Sequence, residues 1–295
     1  MLYLKLIQVP KCMVVRFQLP APPLRPFVQH YVLVHACYAG GDPMQAVKPM
    51  PPAPQQCLYF YPRDALRTVA PADPTRTHRL AGSFVVAPQL ERVDLHFGPD
   101  HLMLCAVFWP GGLHRLLGVP VKELLDVAVE GRALLGPAVA DLEARLAELT
   151  DHGAMLAAVE TYLLGALRRL RPPSERPLDR LLAVLLPTGR ATHPLERLAA
   201  EACLSPRQFE RGFFERVGLP PKLYARIVRF DAAYRLKGRQ PALDWLAVAV
   251  QSGYYDYRHL LRDCHAFAGV TPPRLLAADT AYARFAGGNA AVGGR

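Results

Sequence analysis

The sequence predicts an α+β protein of two domains. A small β-barrel or sandwich with a helical hairpin comes first, and an all-α domain follows. Three observations lead there. Fifteen of the 29 prolines fall within the first 100 residues, where they forbid long helices. Further along, apolar residues recur every three or four positions, the helical period. Between the two regimes, Arg171-Pro172-Pro173-Ser174-Glu175-Arg176-Pro177 places three prolines in seven residues, a stiff joint. At 295 residues, 51% of them hydrophobic, the chain can fill two cores. With 20% charged residues and no long low-complexity tract, it is not a disordered polymer.

Short apolar or alternating runs mark the strands: Phe27 to His35, Gln56 to Tyr61, Gly82 to Ala87, Val93 to Phe97 and Leu102 to Trp109. Beyond Pro120, Val139, Leu142, Leu146 and Leu149 form one helical stripe. Leu156, Val159, Leu163, Leu167 and Leu170 form a second. The joint at Asp151-His152-Gly153 is short, so the two helices form an antiparallel hairpin. Their stripes serve to seal the β-rich layer or to pair with a second subunit. The expected boundaries are residues 1–171 for a sensory or dimerisation domain (β-rich over 1–120, hairpin over 137–171) and 172–177 for the linker. The helical domain spans 178–280, and a flexible tail spans 281–295.

Two runs in the helical domain carry the chemistry. Pro194 suits a first helical position, and Leu195, Leu198, Ala199 and Ala202 line one face of a short helix. A turn through Cys203-Leu204 leads to Ser205, an N-cap with Pro206 at N1 and Gln208 at N3, a capping-box pattern. Phe209, Phe213 and Val217 form the apolar stripe of the next helix, so Arg207, Glu210, Arg211 and Glu215 point outward. The plan then repeats. Asp244 to Gln251 is a short helix with Leu246, Val248 and Ala249 inward, and Ser252-Gly253 turns. Asp256 caps a helix whose outward start is Tyr257, Arg258 and Arg262. Between the units, Tyr224 to Lys237 forms a rod of about 21 Å at 1.5 Å per residue. A short helix, a tight turn and a capped second helix make a helix-turn-helix, whose second helix lies in the DNA major groove. Arg207 and Arg211 share a helix face, and an Arg fork can bond guanine O6 and N7 together.

From about Pro194 to Leu276 the chain resembles the DNA-binding domain of the AraC/XylS family of bacterial transcription regulators. The residues that carry the resemblance include Leu198-Ala199, Leu204-Ser205, Arg207, Phe209, Phe213, Val217-Gly218, Pro221-Lys222 and Arg229-Phe230. They continue with Ala233, Gly253-Tyr254, Asp256, His259-Leu260, Arg262-Asp263, Phe267 and Gly269-Val270-Thr271-Pro272. The resemblance implies two helix-turn-helix units on a linking helix, and promoter binding. Upstream, Arg25 to Tyr31, Gly82 to Gln89 and Phe108 to Pro120 resemble the N-terminal domain of one branch of that family, which senses an effector or dimerises. Two departures stand out: Gly212 inside the first recognition helix, and Cys264 where the family has a large apolar residue.

Charge agrees with a polyanion partner. Residues 181–295 hold 16 Lys and Arg against 9 Asp and Glu, within a total of +10. The residues expected to contact double-stranded promoter DNA are Ser205, Arg207, Glu210, Arg211, Tyr257, Arg258, His259 and Arg262. Lys222, Arg226 and Arg229 are expected at phosphates or in structural ion pairs. A small-molecule effector, a homodimer partner and, for an activator, RNA polymerase complete the expected partners. No cofactor is expected. No residues of an effector site can be named, and the aromatics of the β-rich domain serve equally as plain core. The family's β-rich domain is cupin-like, and cupin-type metal sites use a His-x-His pair. His30, His35, His78, His96, His101 and His114 contain none, so no metal is expected. Cys12, Cys37, Cys57 and Cys105 lack the paired spacing of a four-cysteine zinc site, although one could act as a redox sensor. No catalytic constellation is present, so an enzyme is not expected. The opening apolar run is too short for a signal peptide, and no run reaches the roughly 18 apolar residues of a membrane span, so a cytoplasmic protein is expected.

Overall fold

The computed structural model describes residues 10–38, 47–119, 121–170, 175–185 and 193–285. Eight strands form one antiparallel sheet: β1 (Pro10–Gln18), β2 (Val28–Tyr38), β3 (Val47–Met50), β4 (Gln56–Ala70), β5 (Asp73–Val86), β6 (Val93–His96), β7 (Asp100–Phe108) and β8 (Ala128–Glu130). Their order is β1-β2-β7-β4-β5-β8, and β6 joins β3 to β4. β4 and β5 run well beyond the expected Gln56–Tyr61 and Gly82–Ala87. Residues 62–81 carry prolines and charges because much of this hairpin faces water, which hides its alternation. β8 falls after Pro120, outside the expected β-rich span, and pairs with the end of β5 through Phe84–Val86.

The helices are α1 (Gly112–Leu117), α2 (Gly131–Leu135), α3 (Pro137–Glu148), α4 (His152–Leu170), α5 (Pro177–Leu185), α6 (Leu195–Glu201), α7 (Pro206–Val217), α8 (Pro221–Arg239), α9 (Trp245–Gln251), α10 (Tyr257–Ala268) and α11 (Pro272–Phe285). α3 and α4 are the expected hairpin. Val139, Leu142 and Leu146 with Leu156, Val159 and Leu163 join Tyr31, Leu33, Leu58, Phe60, Leu102 and Leu104 in one core. The stripes therefore seal the sheet. Leu170 departs from its stripe and is exposed at the end of α4. No helix among the described residues is long and apolar enough to cross a membrane.

A second core joins α5 through α11 around Phe209, Phe213, Tyr224, Ile227, Phe230, Leu260 and Phe267. Pro177, placed in the linker by the sequence, is the first residue of α5; residues 171–174 lie outside the described residues. Likewise 281–285, placed in the tail, continue α11, and 286–295 lie outside. Pro194 sits at the N-cap of α6 rather than in its first turn. α8 has 19 residues, about 28 Å of rod, longer than the expected 14. Its first turn begins at Pro221, a proline that lacks a donor the helix would not use there.

The two domains are in contact. Phe27 O accepts from Trp109 N at 2.9 Å, and Arg115 Cζ lies 4.8 Å from the Phe27 ring centroid. α1, which carries Arg115, and the 3-10 turn Val121–Glu123 both touch α7. Farther away, Arg92 N donates to Phe267 O at 3.0 Å.

Candidate nucleic-acid interface

The two helix-turn-helix units open their turns with the same pair of backbone hydrogen bonds. In the first, Cys203 N donates to Ala200 O at 3.0 Å and Leu204 N to Ala199 O at 2.9 Å. In the second, Gly253 N donates to Val250 O and Tyr254 N to Ala249 O, both at 3.0 Å. The turn residues take the left-handed conformation, Cys203 at φ 56° and Gly253 at φ 84°. The second turn is one residue longer before its cap: Tyr255, 88% exposed, stands between Tyr254 and Asp256.

Both caps form as the sequence implies. Ser205 Oγ accepts from Gln208 N at 3.3 Å, and Gln208 Oε1 accepts from Ser205 N at 3.0 Å, a complete capping box. Asp256 Oδ1 accepts from His259 N at 2.9 Å. His259 Nδ1 lies 2.8 Å from the same oxygen, so one edge of that ring belongs to the cap. The His259 backbone N–H, then its side chain, hold the Asp256 carboxyl below the ordinary range. Asp244 caps α9 through the N–H groups of Leu246 and Ala247.

With Phe209, Phe213 and Val217 buried, Arg207, Glu210 and Arg211 are exposed on α7. On α10, Leu260, Cys264 and Phe267 are buried while Arg258, His259 and Arg262 are exposed. Tyr257 differs from its expected outward position: it is half-buried, 6.5 Å from the Trp245 ring. Leu246 differs too, being 55% exposed rather than inward, because a seven-residue helix has room for only Val248 and Ala249 beneath it.

α7 and α10 are each fixed from behind by a buried carboxylate. On α10, Asp263 Oδ1 accepts from Arg226 Nη2 at 2.7 Å, and Asp263 Oδ2 accepts from Tyr254 OH at 3.1 Å. Arg226 is thus a structural partner. Arg229 stacks its guanidinium 5.3 Å from the Tyr254 ring centroid, and of the three candidates Lys222 is the exposed one. On α7, Asp179 Oδ1 accepts from Arg216 Nε at 2.8 Å. Gln56 Nε2 of β4 donates to Arg216 O at 2.9 Å, bringing the N-terminal domain to the same point.

Gly212 and Cys264 both find reasons. A Cβ at Gly212 would stand 2.8 Å from Leu178 Cδ2, so the glycine lets α5 approach α7 closely. Cys264 is fully buried in the helical core, and burial pushes its thiol up to about 12. The sequence reading missed α5 and its Asp179. The available signal was a lone acid beside Leu178, Leu181, Leu182 and Leu185, all on the buried side. It also missed Lys237, buried with its Nζ donating to Pro241 O at 2.8 Å and lying 5.1 Å from the Trp245 ring, which closes the loop from α8 to α9. A cleft of about 420 Å³ at the domain contact is lined by His114, Arg115, Arg176, Asp179, Glu215 and Arg216 among others.

The family model of a helix-turn-helix domain matches residues 198–278, and that of a domain of unknown function, DUF6597, matches residues 16–130. No curated protein matches the sequence. Among solved structures, ToxT from Vibrio cholerae O395 is similar at a TM-score of 0.43 and 10% identity, over 80% of this chain and 97% of that one. Unsaturated fatty acid bound ToxT from Vibrio cholerae strain SCE256 gives 0.42 and 10%, over 83% and 95%. The AraC-like transcriptional activator CuxR gives 0.26 and 13%, over 73% and 93%.

Proposed function

We propose that this chain, whose C-terminal domain is an AraC-type helix-turn-helix domain, is a sequence-specific transcription regulator that inserts α7 and α10 into promoter DNA. The observation that carries the reading is the matched pair of turns and caps, each leading into a helix whose exposed start bears arginine. Arg207 and Arg211 on α7, and Arg258 and Arg262 on α10, are the base- and phosphate-contacting residues in this reading. Glu210, exposed on α7, accepts from a cytosine amino group in this reading. Ser205 and His259 set the helix starts, and Tyr257 shields the second turn from beneath the interface. Lys222 adds a phosphate contact.

The reading assigns sensing or dimerisation to residues 1–171 and DNA binding to 178–280. A small-molecule effector or a homodimer contact in the N-terminal domain supplies the control, exercised in the cytoplasm and, for an activator, upon RNA polymerase. The contact of α1 and Gln56 with α7 and Arg216 supports this, because a change in the first domain reaches a recognition helix without an intervening linker. The reading includes no enzymatic activity.

Mapping of bound sites across the source genome, followed by titration of a labelled site, tests it. Binding of the mapped site should exceed binding of bulk DNA by at least about 10³-fold at physiological salt. Equal affinity for both sinks the reading. Thermal stabilisation by members of a metabolite panel separates effector control from control by protein contacts alone.

A further inference from the structure

The far end of the N-terminal sheet carries a cluster that DNA binding does not use. His35 and Cys37 lie two apart on β2, so their side chains leave the same face of the strand. Cys37 is in register with Asp100, the first residue of β7. One donor atom from each of His35, Cys37 and Asp100 lies within 4.8 Å of the other two. His35 Nε2 is 2.8 Å from Asp100 Oδ1 and 3.6 Å from Cys37 Sγ. On the opposite edge of the ring, His35 Nδ1 lies 2.9 Å from His152 Nε2 at the start of α4.

We infer that His35, Cys37 and Asp100 form a site for a borderline-soft divalent metal, with zinc as the fitting ion. A tetrahedral ion with bonds of about 2.05 Å to nitrogen and 2.3 Å to sulfur sets those ligands about 3.6 Å apart, the spacing this pair already has. For nitrogen and oxygen the same angle asks for about 3.3 Å, so Asp100 yields half an ångström as the ion replaces the proton shared with His35. Three mixed protein ligands leave a fourth position for water or a small ligand. A nitrogen, sulfur and oxygen set selects against calcium and magnesium, which take oxygen alone.

The surroundings suit the ion. When His35 Nδ1–H donates to His152 Nε2, His35 Nε2 keeps its lone pair for the metal, the outer-shell arrangement common to metal-bound histidines. His152 is then a positioning residue. Asp64 Oδ2 accepts from Asp100 N at 2.6 Å and holds the strand end in place. Arg63 Nε stands 4.0 Å from Asp100 Oδ2, leaving Oδ1 to the site. All three ligands are half-buried, open enough for entry and enclosed enough to hold. Binding releases the thiol proton of Cys37 to solvent, and His35 takes the tautomer whose single proton sits on Nδ1, leaving Nε2 to the ion. A bound ion would lock the ends of β2 and β7 together and, through His152, to α4. The sequence hides this site because its pair is His-x-Cys rather than the His-x-His of cupin-type sites, with the third ligand about 60 residues away and supplied by the register of the sheet.

The test is cobalt(II) titration of the full-length chain after chelator treatment, followed by competition with zinc. The wild type should bind one cobalt with a thiolate-to-cobalt charge-transfer band, and zinc should abolish it. Cys37→Ser should lose the band, Cys203→Ser should keep it, and His152→Ala should weaken binding about 10–100-fold. Asp100→Asn, on a half-exposed side chain, should weaken it at least about tenfold and serves as the second variant where Cys37→Ser fails to fold. The absence of a charge-transfer band in wild type, or a band that survives Cys37→Ser, overturns the assignment. So does Asp100→Asn binding like wild type.

Discussion

Asp179 and Arg216 join α7 to α5 through a buried ion pair. The Asp179 carboxylate accepts from Arg216 Nε at 2.8 Å, and the two side chains are 4% and 12% exposed. The other carboxylate oxygen caps the start of α5 by accepting from Arg176 N at 3.0 Å, and faces Arg115 Nε of the N-terminal domain at 3.8 Å. At 3.8 Å the Arg115 contact is a charge contact rather than a hydrogen bond, consistent with that nitrogen having no hydrogen-bond partner. One carboxylate thus answers two arginines from two domains.

Asp179→Ala should therefore be the most damaging single change at the domain contact. It strips the buried Arg216 guanidinium of its carboxylate and leaves Arg115 with Glu175 alone, at 3.4 Å, a loss of about 3–5 kcal/mol. Asp179→Asn should destabilise less, since the amide oxygen can still accept from Arg216. Urea unfolding of the full chain reads both. If Asp179→Ala costs no more than an exposed ion pair, under about 1 kcal/mol, the joint is ornamental.

Arg211→Ala and Arg262→Ala should each weaken binding of the mapped promoter site by about 1–3 kcal/mol and relax base preference at one position. Exposed Glu210 shares the outward face of α7 with Arg211, whereas Arg258 neighbours Arg262 on α10. Phosphate repulsion thus opposes α7 more, and Arg262→Ala should cost more than Arg211→Ala. Lys222→Ala should instead lower affinity uniformly and flatten the salt dependence by about one ion. Anisotropy titrations across salt read all three. Wild-type binding by both arginine variants would place the recognition helices elsewhere.

What was legible in the sequence was local. Ser205-Pro206-x-Gln208 and Asp256 specify their caps through bonds three residues long, and the structure has them. The stripes of α3 and α4 declare a buried face by period alone. What was hidden depends on distant partners. Nothing near Asp179 announces Arg115, about 60 residues earlier, or Arg216 on another helix. The exposed half of the β4–β5 hairpin has no core to impose alternation, so its extent could not be read. Tyr257 and Leu246 were misplaced because a helix's own period does not show its neighbours: Trp245 takes up the Tyr257 ring, and the short α9 buries only Val248 and Ala249.

The second unit should loosen in acid. The Asp256 carboxyl is held below its ordinary 3.8, first by the His259 backbone N–H and then by the His259 side chain. Its folded pKa lies under the unfolded one, so the cap's contribution is whole above about pH 3.8 and is lost as pH falls through the folded value. Asn caps a helix without titrating. Hydrogen exchange at the His259 amide should therefore quicken in acid for wild type, and Asp256→Asn should remove that step. The same acid step in both proteins would assign it to another group.

The paired turns yield opposite responses to equivalent substitutions. Cys203 and Gly253 hold the same left-handed position with the same hydrogen bonds, yet only one is glycine. A side chain there costs about 1–2 kcal/mol through its Cβ. At Gly253 a Cβ would meet nothing closer than Arg229 Cδ at 3.6 Å, ordinary contact, so Gly253→Ala should destabilise by the backbone term alone, about 1–2 kcal/mol. At Cys203 the strain is already present, and the side chain is exposed, so no packing is lost with it. Cys203→Gly should stabilise, by about 0.5–1 kcal/mol after the extra chain entropy of glycine in the unfolded state. It also removes the exposed thiol from the first turn without touching the Ser205 cap. Urea midpoints of the two variants should move in opposite directions. Movement in the same direction would mean that the turns are not equivalent and that the cap spacing, one residue longer in the second unit, alters the strain each turn bears.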